Sequence, residues 1–274
     1  MSGAGFNRGE DGAATTVCGQ RPCHNKRMSD PIQNAARRAL VTGGSGDIGA
    51  AICRVIAAEG GFVYVHANTA VERAERVVAG IRDAGGRAEA VAFDLRDAEA
   101  TRAQLEKLLN VGVLDTLVHN AGVHDDAPLA GMSDAQWHRV IDVSLHGFFH
   151  VTQPLLLPMA RIRFGRIVAV SSVAAQLGNR GQANYAAAKS GLHGAVRSLA
   201  REMASRGITA NVVAPGIIDG RLTRQMFDAE RIRQLVPAGR AGTPQDVATT
   251  VNFLCSTGAG YVNGQVIGVN GGMA

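Results

Sequence analysis

The sequence predicts an α/β fold: a doubly wound parallel sheet of about seven strands, with helices on both faces, in a single domain. Short, continuously apolar segments alternate with longer segments whose apolar residues have helical spacing. Strands that are apolar along their whole length indicate a sheet covered on both sides. Hydrophobic residues make up 46% of the 274 residues, which is enough for a large core, and 34 glycines suit close packing of helices on a sheet.

Seven segments have the length and composition of buried strands. In chain order, beginning at Arg38, they are RALVTG, GFVYVHA, RAEAVAFDL, LDTLVHNAG, GRIVAVSS, ITANVVAPG and GQVIGVNGG. The segments between them have helical spacing, and several end at glycine, which commonly follows the last turn of a helix. The two longest, around residues 133–163 and 184–206, carry long apolar faces. This alternation is typical of a parallel sheet with helical connections.

One stretch after the sixth strand departs from the alternation. Residues 217–242, IIDGRLTRQMFDAERIRQLVPAGRAG, are irregular in apolar spacing and mixed in charge. Ligands of such sheets bind beyond the carboxyl ends of the strands, where this stretch begins. We expect it to form a mobile lid over the substrate, with a pair of surface helices as the alternative.

The N-terminal residues differ in composition from the rest of the chain. Residues 1–36 are rich in glycine, polar and charged residues without periodicity, which predicts a disordered extension before a domain at 37–274. Met28, just before the first strand, is an alternative start. The N-terminus lacks the apolar core of a secretory signal, and no segment approaches the roughly 18 apolar residues of a spanning helix. We therefore expect no membrane attachment and a cytoplasmic location.

Charge and cysteine content narrow the classes of function. The formal net charge is +5, but the basic residues are not clustered, so we do not expect nucleic-acid binding. A mild basic excess suits an acidic protein partner or an anionic cofactor. Cys53 and Cys255 lie in apolar helical segments, which predicts buried thiols. Cys18, Cys23 and His24 are not accompanied by an evident fourth ligand, so we predict no metal site.

The glycine-rich turn TGGSGDIG, residues 42–49, lies between the first strand and the first helix. Glycines in such a turn let the backbone approach a pyrophosphate, and the N-terminus of the helix favours an anion. Because a strand and a helix flank the turn as the motif requires, we predict a dinucleotide site here.

A second motif, NYAAAKSG, places Tyr185 one helical turn before Lys189, so the two side chains share a face. This spacing also occurs by chance in many helices, where both residues are simply solvated. A neighbouring ammonium favours the phenolate, which predicts a tyrosine pKa below its ordinary value of about 10. Such a phenol is a competent general acid or base.

Four motifs in this order resemble the short-chain dehydrogenase/reductase family. They are TGGSGDIG, HNAG at 119–122, SSVAAQLGNRGQANYAAAK at 171–189 and VVAPG at 212–216. The resemblance covers about residues 36–274 and implies a Rossmann-type fold. Within the family, GNRGQANYAAAKSGL and LAREMASRGITANVVAPG are similar to the members that reduce 3-oxoacyl thioesters on acyl carrier protein. The activity implied is NADPH-dependent reduction to the 3-hydroxyacyl form, in fatty-acid-type biosynthesis.

The resemblance also implies residue roles. Tyr185 would donate a proton to the carbonyl oxygen, Lys189 would lower the tyrosine pKa and hold the nicotinamide ribose, and Ser172 would orient the carbonyl oxygen. Asn120 would support the adenine-ribose side and the central strand. Residues implied to contact the cofactor are Gly43, Ser45, Asp47, Ile48, Gly49, Asn68, Asp94, Leu95, Asn120, Ala121, Gly122, Tyr185, Lys189, Pro215, Gly216 and Ile218.

The end of the second strand favours NADPH over NADH. An acidic residue there would bind the ribose 2′-hydroxyl of NAD, but the sequence has Asn68 and Thr69. The arginine that similar reductases carry in the glycine turn is Gly46 here, so one expected phosphate partner is missing. Arg73 is near, although its simplest interpretation is a solvated helix residue.

Three positions depart from the family pattern. Asp47 stands where a glycine is common, and its carboxylate suits a helix N-terminus but can repel a phosphate. Ser144 replaces an asparagine that holds a water of a proton relay to the lysine; its hydroxyl can still bind water, so we include it among the catalytic residues. Gly220 replaces a threonine that contacts the cofactor. These departures keep a second hypothesis open, a cofactor-binding but catalytically weak subunit that partners an active relative.

Two arginines support a carrier-protein substrate. Arg163 and Arg206 match positions that similar reductases use to dock the acidic carrier protein, although both also suit ordinary surface positions near element ends. VTQPLLLPMARIR is similar as well to reductases of aryl-polyene and related polyketide-type pathways, and a sugar or alcohol dehydrogenase is a third alternative. Relatives pair the two long helices across a dimer, so we expect a homotetramer.

Overall fold

The computed structural model describes residues 37–274; the predicted extension at residues 1–36 and the alternative start at Met28 lie outside them. Within this range seven parallel strands form one sheet, which confirms the predicted fold class and strand number. The strand order is β3-β2-β1-β4-β5-β6-β7. The strands are β1 Arg38–Thr42, β2 Phe62–Ala67, β3 Arg87–Ala92, β4 Thr116–His119, β5 Gly165–Val170, β6 Ile208–Pro215 and β7 Val266–Val269.

Helices cover both faces of the sheet and create two cores. They are α1 Asp47–Ala58, α2 Val71–Asp83, α3 Ala98–Val111, α4 Asp134–Ile141, α5 Gly147–Ile162, α6 Ala174–Leu177, α7 Ala183–Met203, α8 Arg221–Met226, α9 Ala229–Leu235 and α10 Pro244–Cys255. Successive strand residues point to opposite faces. Val41 of β1 therefore packs with Ile52 and Val251 from α1 and α10. Leu40 packs on the other face with Leu155 and Leu192 from α5 and α7.

Local sequence signals start two of these helices. Ser133 and Gln136 form a reciprocal capping box at the beginning of α4, and Thr243 and Asp246 form another at the beginning of α10. The two predicted cysteine environments are confirmed, because the thiols of Cys53 and Cys255 are both buried. None of the helices described for residues 37–274 is both long enough and apolar enough to cross a membrane.

The long helix predicted around residues 133–163 is divided by a π-helical turn at Asp142–His146, between α4 and α5. A π turn disturbs the regular backbone ladder and is often found at functional sites. Here the backbone oxygen of Ser144 lies 2.9 Å from Nε2 of the buried His119 at the end of β4. The interruption therefore ties the helix to the central strand.

The lid segment, defined as residues 217–242, consists of the short helices α8 and α9 and their connections. Its two ends are joined, because Asp219 N donates to Gly242 O at 2.7 Å and Gly242 N donates to Ile217 O at 2.9 Å. The segment therefore extends beyond the carboxyl end of β6, and its two ends are hydrogen-bonded to each other. Its helices correspond to the surface-helix alternative, and its mobility remains a prediction.

Candidate active site

The strand order reverses between β1 and β4, so the carboxyl ends of these strands open a crevice where doubly wound sheets bind ligands. Thr42 and Asn120 hold the two strand ends together. The Thr42 hydroxyl accepts from the backbone N–H groups of Asn120 and Ala121, each at 3.1 Å. The Asn120 amide donates to the carbonyls of Thr42 and Gly43, at 3.2 and 3.0 Å. Asn120 therefore ties the ends of the two central strands together.

The glycine turn is shaped for close approach of a ligand. Gly43 has φ +62°, and a Cβ atom there would lie 3.0 Å from Ala121 Cα. A Cβ at Gly49 would lie only 2.2 Å from Gly43 O, so α1 can pack this closely on the turn only with glycine. The N-cap of α1 is Gly46, so the first N–H groups of the helix remain for an anion. This cradle suits the pyrophosphate of a dinucleotide, with Ser45, Asp47 and Ile48 beside it.

Asn68, Asp94 and Leu95 follow β2 and β3 at the same edge of the sheet. Asn68 is exposed and lies near the Asp94 carboxyl. Hydrogen bonds from Arg96 lower the pKa of the Asp94 carboxyl. Leu95 is different, because it is 3% exposed and belongs to the core beside α3 and α5. Its side chain therefore offers little surface to a cofactor.

The opposite wall of the crevice follows β4 and β6. A Cβ atom at the exposed Gly122 would lie 3.0 Å from Lys189 Nζ, so glycine leaves room for the ammonium. Gly216 N donates to Val269 O at 3.0 Å, and Pro215 O accepts from Val173 N at 2.7 Å. These bonds fix the segment that leads from Pro215 through Gly216 to the partly buried Ile218.

Ser172, Tyr185 and Lys189 lie together beyond the carboxyl end of β5. Ser172 follows β5, and its hydroxyl accepts from Ala174 N at 3.2 Å. The Ser172 side chain is close enough to the Tyr185 hydroxyl to influence its pKa. Lys189 Nζ donates to Val170 O at 2.9 Å and approaches Ala121 O at 3.4 Å. The three side chains are therefore brought together at this end of the sheet.

The pKa values of this group differ from the expectation. Burial raises the pKa of Tyr185, the neighbouring Ser172 side chain opposes the rise, and the Asp126 carboxylate adds to it. The predicted lowering by Lys189 is wrong for this structure, because the ammonium points at backbone carbonyls and lies 5.9 Å from the centre of the tyrosine ring. Burial also lowers the pKa of Lys189 to about 8.

Ser144 and His119 form a buried polar pair behind the lysine. Ser144 Oγ is buried and has no hydrogen-bond partner within residues 37–274. The Cβ position of Gly122 is 3.6 Å from this oxygen and 3.0 Å from Lys189 Nζ, so both groups border the same space. His119 lies 3.2 Å from the Thr42 hydroxyl, and burial lowers its pKa to about 3, so the imidazole is neutral.

Sequence analysis missed His124, Asp126 and Gln182. The His124 ring stacks on the Tyr185 ring, with centroids 4.2 Å apart and an interplanar angle of 25°. Gln182 Nε2 donates to Asp126 Oδ2 at 2.8 Å and lies 3.4 Å from His124 Nδ1. The signal was present, because HNAGVHDD puts titratable residues directly after a strand that ends at the ligand edge.

A cavity of about 800 Å³ adjoins the glycine turn, between α1 and α2 on one side and the lid segment on the other. Asp47 and Asp219 line it together with a larger set of cations. The arginines in its lining are Arg54, Arg73, Arg76, Arg221 and Arg224. Of these, sequence analysis considered Arg73 alone; the i, i+3 spacing of Arg73 and Arg76 was the signal for a shared face.

Arg163 and Arg206 lie near each other but away from the crevice. Both are exposed, and the Arg163 guanidinium donates to Ser205 O at 3.0 Å. They precede β5 and β6, whereas Ser172 follows β5, so they lie at the opposite edge of the sheet. Within the described part of the chain, no group of three or more His, Cys, Asp or Glu side chains could hold a metal ion, and Cys18, Cys23 and His24 lie outside it.

A dinucleotide crevice at the switch point of a Rossmann-type sheet, with a serine, a tyrosine and a lysine beside it, defines a nicotinamide-dependent oxidoreductase. Residues 44–274 match a family model described as enoyl-(acyl carrier protein) reductase. The chain belongs to the short-chain dehydrogenase/reductase family.

Individual relatives match almost end to end. The 3-oxoacyl-[acyl-carrier-protein] reductase of Aggregatibacter actinomycetemcomitans is 41% identical over 236 residues, which are 85% of this chain and 98% of that protein. Nodulation protein G of Rhizobium sp. (strain N33) is 42% identical, covering 87% of this chain and 97% of its own length. The 3-oxoacyl-[acyl-carrier-protein] reductase of Escherichia coli (strain K12) is 42% identical, covering 86% and 96%.

Proposed function

We propose that the protein reduces 3-oxoacyl thioesters on acyl carrier protein to their 3-hydroxyacyl forms, with NADPH, in fatty-acid-type biosynthesis in the cytoplasm. The observation that carries the proposal is the pairing of the Ser172 and Tyr185 hydroxyls at the crevice. Two neighbouring hydroxyls suit a carbonyl oxygen, which can accept two hydrogen bonds. The 41–42% identity to two reductases with this name supports the same substrate class.

The chemistry of the side chains suits reduction. The raised pKa keeps Tyr185 protonated at neutral pH, so the phenol can donate its proton to the carbonyl oxygen while Ser172 donates a hydrogen bond to that oxygen. Lys189, whose pKa burial lowers to about 8, is mainly an ammonium at neutral pH. The bound nicotinamide cofactor supplies the hydride that reduces the carbonyl carbon. Lys189 and Tyr185 are the residues that would hold its ribose.

The cavity beside the glycine turn supports NADPH as the cofactor. Arg73 and Arg76 are exposed on α2 and line the cavity together with Arg54 of α1. Guanidinium groups bind phosphate with two parallel hydrogen bonds, and the exposed end of β2 has Asn68 rather than a carboxylate. We infer that these arginines replace the arginine that is absent from the glycine turn, with NADH as the weaker cofactor.

Turnover of the purified protein with acetoacetyl thioesters tests the proposal, followed as NADPH oxidation by absorbance. Tyr185→Phe keeps the ring but removes the proton, and we expect it to lower kcat by about 100-fold or more. NADPH binding, measured by fluorescence, should persist in the variant. A wild-type protein inactive on every 3-oxoacyl thioester, or active only on enoyl thioesters, would contradict the proposal.

The Ser144 hydroxyl, which has no hydrogen-bond partner among residues 37–274, favours one second candidate, a cofactor-binding but catalytically weak subunit. A serine is shorter than the asparagine of similar proteins and reaches less far toward Lys189. This candidate predicts tight NADPH binding without turnover and a gain of activity in Ser144→Asn. Turnover by the wild-type protein that Ser144→Asn does not increase would exclude it.

We also propose a homotetramer and docking of the carrier protein at Arg163 and Arg206. Helix α5 exposes Phe149 and Leu157 by 63% and 69%, eight residues apart and hence about 80° apart around the helix, within the width of one apolar stripe. Large apolar side chains at such exposure support a contact with another subunit. Arginines suit the acidic surface of a carrier protein.

A further inference from the structure

Two positions that depart separately from the family pattern, Asp47 and Gly220, meet in the structure. Asp47 is the first residue of α1, at the end of the glycine turn, and Gly220 immediately precedes α8 in the lid segment. Asp47 Oδ2 accepts from the backbone N–H of Arg221 at 3.4 Å. A Cβ atom at Gly220 would lie 2.7 Å from the same oxygen. The carboxylate thus occupies the space that a side chain at residue 220 would need.

We propose that Asp47 is a positioning residue that holds the start of the lid segment against the glycine turn, and that residue 220 is glycine because this contact excludes a side chain. The proposal goes beyond the reaction itself, since it concerns how the cofactor crevice is closed. It also links the two departures from the family pattern. Compared with similar proteins, this chain lacks a side chain at residue 220 of the lid segment and carries one at residue 47 of the glycine turn.

The other contacts of the lid segment explain why this one matters. The Arg224 guanidinium donates two hydrogen bonds to the Asp219 carboxylate, at 2.8 and 2.9 Å. Thr223 Oγ1 donates to Ile218 O at 2.5 Å. These bonds shape the segment internally but do not attach it to α1. The Asp47 carboxylate reaches across from the glycine turn, so it joins the two sides of the arginine-lined cavity.

The charges around Asp47 have the sign needed for the contact. The Asp219 carboxylate raises the pKa of Arg224, and Asp47 makes a smaller contribution in the same direction. Arg221 and Arg224 line the same cavity as Asp47, so positive charge lies near this carboxylate at the phosphate-binding turn. Loosening the lid segment would leave that carboxylate facing the turn, where it repels phosphate and speeds release of the dinucleotide.

Hydrogen–deuterium exchange of the unliganded full-length protein tests the contact without any turnover. We expect Asp47→Gly to speed exchange of the amides in residues 217–242 about three- to tenfold, the range for loss of one modest hydrogen bond. Exchange in α10 and the melting temperature should stay unchanged. Asp134→Gly is the matched control, because Asp134 is also the exposed first residue of a helix but lies away from the lid segment.

Gly220→Ala supplies the decisive comparison. The added methyl group should displace the exposed Asp47 carboxylate and speed lid exchange by a similar factor. In the double variant Asp47→Gly/Gly220→Ala the effects should not add, because both substitutions remove one contact. In stopped-flow measurements, Gly220→Ala, which keeps the Asp47 carboxylate but frees it from the lid segment, should release NADPH several-fold faster than wild type. Additive effects, or lid exchange unchanged by Asp47→Gly, would overturn the proposal. A chain that binds NADPH but reduces no 3-oxoacyl thioester would contradict only the proposed function.

Discussion

Lys189 lies almost entirely inside the protein, with 2% of its surface exposed and its ammonium donating to Val170 O. Burial withdraws water from this group and from the Tyr185 phenol, and it favours the neutral form of each. The tyrosine therefore stays protonated at neutral pH, and the pKa of the lysine lies only about one unit above neutral pH.

The buried lysine predicts a specific dependence of stability on pH. Its folded pKa of about 8 lies below the ordinary 10.5, so between these values the unfolded chain binds more protons than the folded one. The cost of burying the ammonium is therefore fully present below about pH 8 and is lost as the pH rises toward 10.5. Lys189→Met removes this effect. The wild-type free energy of unfolding should rise relative to the variant by on the order of 3 kcal/mol across this window, measured by urea denaturation. If the free energy of unfolding depends on pH in the same way in the wild type and the variant, this prediction is wrong.

His124 predicts a second effect at the scale of a single residue. Its ring stacks on Tyr185 at 4.2 Å, and such pairs contribute about 0.5–1.5 kcal/mol. Without the stack the phenol is less firmly held, so we expect His124→Ala to lower kcat about two- to tenfold on a small 3-oxoacyl thioester. His124→Phe keeps a ring and should retain most activity. Equal losses in both variants would show that the imidazole acts through its nitrogens instead.

At the scale of elements, helix α2 carries the prediction for cofactor choice. Arg73 and Arg76 lie one turn apart on its exposed side and line the cavity next to the glycine turn. If they bind the 2′-phosphate, Arg73→Ala/Arg76→Ala should raise the KM for NADPH about tenfold or more and leave the KM for NADH unchanged. Arg102→Ala, an exposed arginine on α3, is the matched control. A parallel rise for both cofactors would mean that the arginines contact groups common to both.

The elements also show what a sequence can predict. All seven strands were identified because continuous apolar runs are local, and the glycine turn because its neighbours in the chain define it. The π turn at Asp142–His146 was missed, since its residues have ordinary helical composition. The tyrosine pKa was predicted in the wrong direction because it depends on where Lys189 Nζ points. Likewise, Asp47 and Gly220 are far apart in the chain. Their two departures from the family pattern could therefore not be recognised from the sequence as the two sides of one contact.

At the scale of the whole molecule, the docking arginines pose a geometric problem. Arg163 and Arg206 precede β5 and β6, and Ser172 follows β5, so a six-residue strand of about 20 Å separates them from the catalytic group. A carrier protein docked on these arginines would lie at the wrong edge of the sheet for the site of its own subunit. The proposed homotetramer resolves this if the arginines of one subunit serve the crevice of another.

Charge reversal at these arginines tests docking and assembly together. Arg163→Glu/Arg206→Glu should lower kcat/KM for a 3-oxoacyl carrier-protein substrate at least tenfold, because the acidic partner is then repelled, but leave a small acetoacetyl thioester unaffected. Arg102→Glu is the control for net charge.

In a second experiment, Phe149→Asp/Leu157→Asp should dissociate the assembly, as measured by light scattering. If the arginines act across subunits, that dissociated protein should lose its preference for the carrier-bound substrate, and adding the arginine reversals should lower kcat/KM no further. A dissociated protein that keeps the full preference would place docking and catalysis within one subunit.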